Sequence, residues 1–407
     1  MHINLHPSLA FRRVARFARQ RMVRLAWALG AALPGAAFSS EPVLIGLDEA
    51  YSIATNTAPK AIERGIRVAI AEINARGGVL GGRPLQLVTT DNQGLAARGK
   101  DNFIDLAGRP GMTAVFGGKF SPVTVESVPE ANRLKVPLVS VWGSADQITD
   151  GDPVFPFVFR LSLKDSWGVE ALVQRARDSH QASRLCILLP NTAWGRSADK
   201  VLASRSQAMR VTLASVRWYN WGDSNFAEHV AGCQQASAQA LVMVANEREG
   251  ALVLGEIAKL PAAQRLPVVA HWGITGGTLH TLVGDALSKV DMQIIQTFTF
   301  IDNRRPAAQR LAAALMKEGG LASVREIASP VGSAHAYDMT HLLALAINKA
   351  GSTQGDALRQ ALERLPAFDG AVRRYEPAFT PTRHDALTSR EVLFVRMEQG
   401  GALVPVK

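Results

Sequence analysis

The stretch of residues 66–94, IRVAIAEINARGGVLGGRPLQLVTTDNQG, constrains the fold more than any other part of the chain. Apolar residues recur in it at the spacing of one helix face, namely Ile66, Ala69, Ile70 and Ile73. Gly77 and Gly78 predict the end of this helix, because glycine adopts the left-handed conformation that closes a helix at little steric cost. A second pair, Gly81 and Gly82, predicts a turn into the strand LQLVTT. With the preceding VLIGL, the stretch predicts a strand, a helix and a strand that form one unit.

Strand-like and helix-like stretches alternate along most of the chain. The predicted strands after the first unit are TAVFGG, VPLVSV, SRLCILLP, VTLASVRW, ALVMVA, LPVVAHW and DMQIIQTFTF, with amphipathic segments between them. This alternation is typical of parallel sheets covered by helices. About 365 residues follow the first 40, which is more than one hydrophobic core usually holds. We therefore predict an α/β fold with two doubly wound parallel sheets, one in each of two lobes.

The first 40 residues predict a secretory signal peptide. They contain six arginines and no acidic residue, followed by the apolar run LAWALGAAL and the small residues of PGAAFSS. The basic part is long, so Met22 is an alternative start. A membrane anchor is the competing interpretation, but the apolar run is well short of the roughly 20 residues that a spanning helix needs. Without these arginines the 45 basic residues fall to 39 against 35 acidic ones, so nucleic-acid binding loses its main support.

No pattern in the sequence indicates an enzyme, a metal site or a bound cofactor. A GxSxG elbow, a GxxxxGK[ST] loop and a GxGxxG after a strand are absent, as are CxxC and HExxH. The two cysteines, Cys186 and Cys233, lie in apolar periodic surroundings. We expect them to be two separately buried residues, with a disulfide in an oxidising compartment as the alternative.

Two loops that follow predicted strands carry polar residues suited to a ligand. Lys119 and Ser121 follow TAVFGG, and Trp142 and Ser144 follow VPLVSV. Ligands of open parallel sheets bind beyond the carboxyl ends of the strands, where helix N-termini offer unpaired N–H donors. These residues therefore predict a site for a carboxylate. An equally favoured interpretation is that Ser121 and Ser144 only cap helices.

The chain from about Val43 to about Gly400 resembles the type I periplasmic solute-binding proteins of ABC importers, in the leucine/isoleucine/valine-binding protein-like branch. The likeness begins with IGL and continues through AIAEINARGGVLGGRPLQLVTTDNQG. It implies that the chain crosses three times between two lobes, which makes a hinge. The implied divisions are 1–40 for the signal peptide, 41–160 plus 297–375 for lobe 1, and 161–296 plus 376–407 for lobe 2.

The resemblance also implies roles for single residues of lobe 1. GGKFSPVT matches the segment in which the branched-chain amino acid binders place a serine on the ligand carboxylate, and that position is Ser121. SVWGSADQIT matches the segment with a main-chain carbonyl for the ligand ammonium and a threonine hydroxyl. Those two positions are Trp142 and Ser144. Tyr51, in the loop after the first strand, is a further candidate contact.

In lobe 2 the resemblance includes one departure. Trp194 stands where the family has a stacking tyrosine, and Asn246 or Glu247 stands where it has another. The family's ammonium-binding glutamate aligns with Trp272, so the group that would neutralise an α-ammonium is missing, and a buried ammonium without a carboxylate is costly. Trp221 is interpreted as packing or as the rim of the cleft.

Two classes of ligand follow from these residues. Three indoles suit an aromatic ring or a quaternary ammonium, and they belong to Trp142, Trp194 and Trp272. An aromatic or other carboxylate is therefore one class, with Lys119 as a further partner. An amino acid or its amide is the other, if a nearby acid replaces the missing glutamate, for which the candidates are Asp48, Glu49, Glu247 and Glu249.

The resemblance implies a function in transport. It predicts a periplasmic monomer that binds one small molecule, needs no cofactor, catalyses no reaction and delivers its ligand to an ABC permease in the inner membrane. A periplasmic sensor that feeds a membrane receptor or regulator is the alternative.

Overall fold

The computed structural model describes residues 1, 2, 41–151 and 155–406. The predicted signal peptide falls almost entirely on residues 3–40, outside the described part of the chain. The chain from Glu41 onwards forms one unit of contacts. Within the described ranges, no helix combines the length and the apolar character needed to cross a membrane.

Five parallel strands form the first sheet. They are β1 (Val43–Glu49), β2 (Leu85–Asp91), β3 (Met112–Gly117), β4 (Leu138–Ser140) and β5 (Val158–Arg160). Their spatial order is β2-β1-β3-β4-β5, and every pair is parallel. The winding reverses between β1 and β3, and at such a reversal the loops leave a crevice beyond the carboxyl ends of the strands.

The second sheet contains seven strands. They are β6 (Arg184–Pro190), β7 (Thr212–Tyr219), β8 (Ala240–Met243), β9 (Val268–Ala270), β10 (Met292–Gln296), β13 (Leu393–Met397) and β14 (Leu403–Pro405), and a separate hairpin holds β11 (Phe368–Asp369) and β12 (Arg374–Tyr375). The order is β14-β13-β10-β9-β8-β6-β7, with β13 and β14 antiparallel. Winding reverses between β6 and β8. All the predicted strands are present, whereas β5 and the strands β11 to β14 were not predicted.

Helices cover both sheets. The described α-helices are α1 (Ala58–Ala75), α2 (Ala96–Ala107), α3 (Ser121–Leu134), α4 (Asp165–His180), α5 (Ala193–Arg205), α6 (Ala227–Gln235), α7 (Glu247–Lys259), α8 (Leu279–Val283), α9 (Pro306–Gly319), α10 (Pro330–Ala350) and α11 (Gly355–Leu362). After β10 the chain returns to the first sheet, since α10 packs on α1. This return to the first sheet agrees with the predicted path of the chain. The residue bounds of the two lobes stay a prediction.

Helix α1 ends as the glycine pair predicts. Its last residue is Ala75, and Gly77 and Gly78 have φ of 97° and 71°. The residues Ile62, Ile66, Ala69 and Ile73 of its apolar face are buried. A side chain at Gly78 would also meet the Arg83 carbonyl oxygen at 2.2 Å, so both the conformation and the space require glycine there.

Cys186 and Cys233 form a disulfide between β6 and α6, so the expectation of two separate cysteines is wrong. Both residues are buried, as expected. Their Cα atoms lie 5.4 Å apart, which is within the range that a disulfide bridges. Because 47 residues separate them, apolar periodicity could not show that the two side chains meet.

The contact between α1 and α10 gives a test of the packing. A Cβ on Gly65 would lie 2.2 Å from the Ser333 carbonyl oxygen, a backbone atom that cannot rotate away. We expect Gly65→Ala to lower the free energy of unfolding by about 2–3 kcal/mol in urea titrations. Gly255→Ala in α7 is the matched control, because nothing lies within 4 Å of its added Cβ. It should be neutral or stabilise by up to about 1 kcal/mol, and equal losses in both variants would contradict this packing.

Candidate functional site

The candidate site lies between the two sheets, where the loops after their strands face each other. Backbone hydrogen bonds join the two sides, with the Thr57 amide donating to the Gly276 carbonyl at 2.8 Å. The Thr278 amide donates in return to the Thr55 carbonyl at 3.1 Å. The loops after β3 and β8, next to the two reversals of winding, both open onto this space. The site is therefore an enclosed cleft rather than a groove on one sheet.

Residues from both sides line the cleft. They are Lys119, Phe120, Ser121, Trp142, Ser144, Trp194, Trp221, Asn246, His271, Trp272 and Gly273. Seven of the nine predicted contacts are thus brought together, namely Lys119, Ser121, Trp142, Ser144, Trp194, Asn246 and Trp272. The free space among them is only about 10 Å³, barely the volume that one water molecule requires. Side chains of the protein itself fill the cleft.

The other two predicted residues lie elsewhere. Glu247 follows Asn246 at the start of α7 and contacts the cleft through Lys119. Tyr51 lines a separate cavity beside α1. The prediction missed Phe120, His271 and Gly273, each of which adjoins a predicted residue in the chain. Their position next to predicted residues was the only hint in the sequence. The sequence does not show which of these neighbours face the cleft, because that depends on the path of the backbone.

Lys119 and Glu247 form a buried ion pair across the cleft. The Nζ and Oε2 atoms are 2.5 Å apart, and the two residues are 4% and 3% exposed. Lys119 Nζ also donates to Asn56 Oδ1 and to the Gly276 carbonyl, both at 3.3 Å. These contacts satisfy all three ammonium hydrogens with partners from both sides of the cleft.

Ser121 joins two loops instead of capping its own helix. Its Oγ accepts from the amides of Ser144 at 3.0 Å and Ala145 at 3.2 Å, and no side-chain bond caps α3. The wholly buried Arg160 holds the same turn, because its guanidinium donates to the carbonyls of Ser144 and Ala145 and pairs with Asp385 at 2.8 Å. Arg160 was not predicted, since its partners are distant in sequence.

Of the four tryptophans that line the cleft, one has a hydrogen-bonded indole N–H and two have a buried indole N–H without a partner. The Trp272 indole N–H donates to the Trp142 carbonyl at 3.3 Å. The indole nitrogens of Trp194 and Trp221 are buried and have no hydrogen-bond partner. Trp194 meets His271 edge-on, with ring centroids 4.8 Å apart. The cleft wall therefore carries two unpaired N–H donors.

Glu49 ends β1 beneath the cleft. Its carboxyl group accepts from the amides of Ala50 and Lys119, both at 2.9 Å. Burial raises the pKa of Glu49 to about 7, and these two bonds and the Lys119 charge oppose that rise only in part. A fraction of Glu49 is therefore neutral at physiological pH. In the described ranges, no group of His, Cys, Asp and Glu residues could hold a metal ion.

Comparison with known proteins gives one family and many similar folds. Residues 43–402 match the model of a family described as periplasmic binding protein. A substrate-binding protein of a branched-chain amino acid transporter from Streptococcus pneumoniae, in complex with isoleucine, has a TM-score of 0.76 at 19% identity, covering 90% of this chain and 100% of that chain. A type 1 periplasmic binding protein from Bordetella pertussis Tohama I has a TM-score of 0.79 at 19% identity, with the same coverages.

A solute-binding protein of an ABC transporter from R. palustris, in complex with benzoate, has a TM-score of 0.72 at 15% identity, covering 90% of this chain and 95% of that chain. No curated protein matches this sequence. At these identities the likeness shows a shared fold, and it confirms the predicted fold.

The raised pKa of Glu49 predicts a pH dependence of stability. The unfolded carboxyl ionises near its ordinary value of 4.5, while the folded one ionises near 7. The contribution is therefore complete below pH 4.5 and is lost as the pH rises to 7, by up to about 3 kcal/mol. We measure the free energy of unfolding of the wild type and of Glu49→Gln in urea at several pH values. As the pH rises from 4.5 to 7, the wild type should lose this amount relative to the variant, because glutamine does not titrate. Other buried carboxyls cancel in the comparison, and a difference independent of pH would contradict the assignment.

Proposed function

The chain belongs to the periplasmic binding protein family, and we propose that it is the solute-binding component of an ABC importer. Its two lobes would close on one small organic ligand in the cleft. A buried ligand contacts both lobes only in the closed state, so binding and closure are thermodynamically linked. In this proposal the signal peptide directs the protein to the periplasm, where the closed monomer meets the permease of the inner membrane.

We propose an aromatic carboxylate as the ligand class, and the unpaired indoles of Trp194 and Trp221 are the observation that carries this. A buried donor without an acceptor costs roughly 1–3 kcal/mol, so a ligand that supplies acceptors to both gains on binding. Ser121 adds a hydroxyl whose oxygen already accepts two amides, which leaves its hydrogen to donate. A carboxylate is rich in acceptors, and a flat ring suits indole walls.

An α-amino acid finds less in the same cleft. Its ammonium needs several acceptors, but the Trp142 carbonyl has one lone pair left beside its bond from Trp272, and the Glu247 carboxylate is held by Lys119. No carboxylate side chain lines the cleft in the described part of the chain. Since the similar folds include one in complex with isoleucine and one in complex with benzoate, an amino acid stays the alternative.

Ligand entry requires the cleft to open, because about 10 Å³ of free space admits no organic molecule. Opening separates Lys119 from Glu247 and returns both charges to water. We propose that the ligand ring then takes up space between the two lobes that side chains fill in the closed arrangement. The free energy of binding is therefore the difference between the contacts that the ligand makes and the internal contacts that it replaces.

A thermal-shift screen tests the ligand class. Benzoate and 4-hydroxybenzoate should stabilise the protein, by about 2.7 kcal/mol at a hundred times the dissociation constant. Leucine, isoleucine and glycine betaine should leave the transition unchanged. Stabilisation by the α-amino acids alone would refute the aromatic assignment and support the amino acid alternative.

Single substitutions test the two indole donors. Trp194→Phe and Trp221→Phe remove an N–H but keep an aromatic ring, so each should weaken benzoate binding about tenfold by calorimetry. Trp218→Phe is the matched control, because Trp218 is 37% exposed and does not line the cleft. If all three variants bound benzoate as tightly as the wild type, the two indoles would not bind the carboxylate.

A further inference from the structure

The 143–146 segment follows β4 and carries Ser144, which lines the cleft. All four of its backbone carbonyls accept hydrogen bonds from groups that do not line the cleft. The first of them, the Gly143 carbonyl, accepts from the hydroxyl of Ser140 at 3.2 Å and from that of Ser162 at 2.6 Å. Both serines are wholly buried. The first acceptor of the segment is therefore engaged behind the wall of the cleft.

A single guanidinium takes the other three carbonyls. Arg160 Nη1 donates to the Ser144 carbonyl at 2.8 Å and to the Ala145 carbonyl at 3.0 Å. Its Nη2 donates to the Asp146 carbonyl at 3.4 Å. Arg160 ends β5, is wholly buried and does not line the cleft. Because the guanidinium is a rigid planar fork with several donors, it fixes these acceptors in one geometry.

Two buried side chains orient the guanidinium in turn. Arg160 Nε pairs with Asp385 Oδ1 at 2.8 Å. Its Nη2 donates to the Thr149 hydroxyl, which donates to the same Asp385 oxygen at 2.9 Å. Thr149 is 4% exposed and Asp385 is 7% exposed. A buried ion pair adds little net stability, so the main effect of this group is to fix where Arg160 points.

The amides of the 143–146 segment point the opposite way. In a trans peptide group the N–H and the C=O lie on opposite sides, so the Ser144 carbonyl held by Arg160 fixes the Ala145 N–H. The amides of Ser144 and Ala145 both donate to Ser121 Oγ, at 3.0 Å and 3.2 Å. A hydroxyl oxygen has two lone pairs, and these bonds occupy both. Ser121, which lines the cleft, can therefore only donate to a ligand.

We propose that Arg160 is a positioning residue that makes Ser121 a donor to the ligand and thereby favours an anionic headgroup over a neutral one. This rests on the proposed function, in which the cleft binds a carboxylate. Arg160 does not touch the ligand. It acts through the carbonyls of the 143–146 segment, whose amides fix Ser121. Hydrogen bonds to a carbonyl also polarise the peptide group, so its amide becomes a stronger donor.

Thr149 gives the sharpest test, because removing Arg160 itself would leave Asp385 buried and unpaired. Thr149→Val removes the hydroxyl that orients Arg160, and Thr149→Ser keeps it. We measure by calorimetry the affinities for benzoate and for benzamide, a neutral analogue with the same ring. The wild type should prefer benzoate. Thr149→Val should reduce this preference about tenfold, whereas Thr149→Ser should restore it.

The matched control is Thr340→Val in α10. Thr340 is wholly buried, its hydroxyl donates to the Ala336 carbonyl at 2.7 Å, and it does not line the cleft. This variant loses a buried hydroxyl as Thr149→Val does, but it should keep the wild-type ratio of the two affinities. A purely structural loss would weaken benzoate and benzamide alike and leave that ratio unchanged.

Hydrogen exchange of the 143–146 segment, measured by mass spectrometry on the ligand-free protein, is the second readout. Exchange should be faster in Thr149→Val than in the wild type and in Thr149→Ser, because the segment loses its support. This readout needs no ligand. It therefore tests whether Arg160 positions the segment even if the ligand class is wrong.

Several results would overturn the proposal. They are a wild type that binds benzamide as tightly as benzoate, a Thr149→Val variant in which either the ratio or the exchange is unchanged, and a Thr340→Val variant that lowers the ratio equally. Failure of the wild type to bind benzoate would instead refute the proposed ligand class. Exchange would then decide alone, and unchanged exchange in Thr149→Val would refute the positioning role as well.

Discussion

The buried ion pair of Lys119 and Glu247 fixes how the two sides of the cleft meet. Lys119 follows β3 of the first sheet and Glu247 begins α7 over the second, so the pair forms only when the sheets face each other in this way. Desolvation of two charges is offset only by good geometry and further hydrogen bonds, which Asn56 and Gly276 supply to the lysine. The pair therefore selects one closed arrangement and contributes little net stability, because water competes well for both charges once the cleft opens.

Most of the fold was predictable from the sequence, because parallel strands between amphipathic helices leave long apolar runs. The strands β1 to β4 and β6 to β10 are such runs, and glycines with positive φ mark the end of α1. Strand β13 and the edge strand β14 are partly exposed, so their composition does not distinguish them from a loop. The disulfide of Cys186 and Cys233 depends on the distance between two elements, which local periodicity does not contain.

The candidate site was predictable only where chemistry and topology coincide. Residues just beyond the carboxyl ends of strands, such as Ser121 and Trp142, could be placed in one cleft because the winding of an open sheet brings those ends together. Arg160 depends on Asp385, which is 225 residues away, so no local pattern indicated that it holds the Ser144 turn. Tyr51 lies in a loop that follows a strand, as a cleft contact should, but its side chain lines the separate cavity beside α1.

In the proposed function, Trp272 bears on the charge of the ligand that the cleft accommodates. The resemblance predicts that Trp272 stands at the position of an ammonium-binding glutamate, and under that prediction a donor replaces an acceptor. That donor occupies one of the two lone pairs of the Trp142 carbonyl oxygen, which weakens a second acceptor on the same wall. With Trp194 and Trp221 also presenting N–H groups, the cleft offers donors where an ammonium requires acceptors. Trp272 is buried within a short 3₁₀ turn that begins beyond β9, outside the strands that build the sheet. The fold and the ligand headgroup are therefore specified by different residues, and likeness of fold alone cannot identify the ligand.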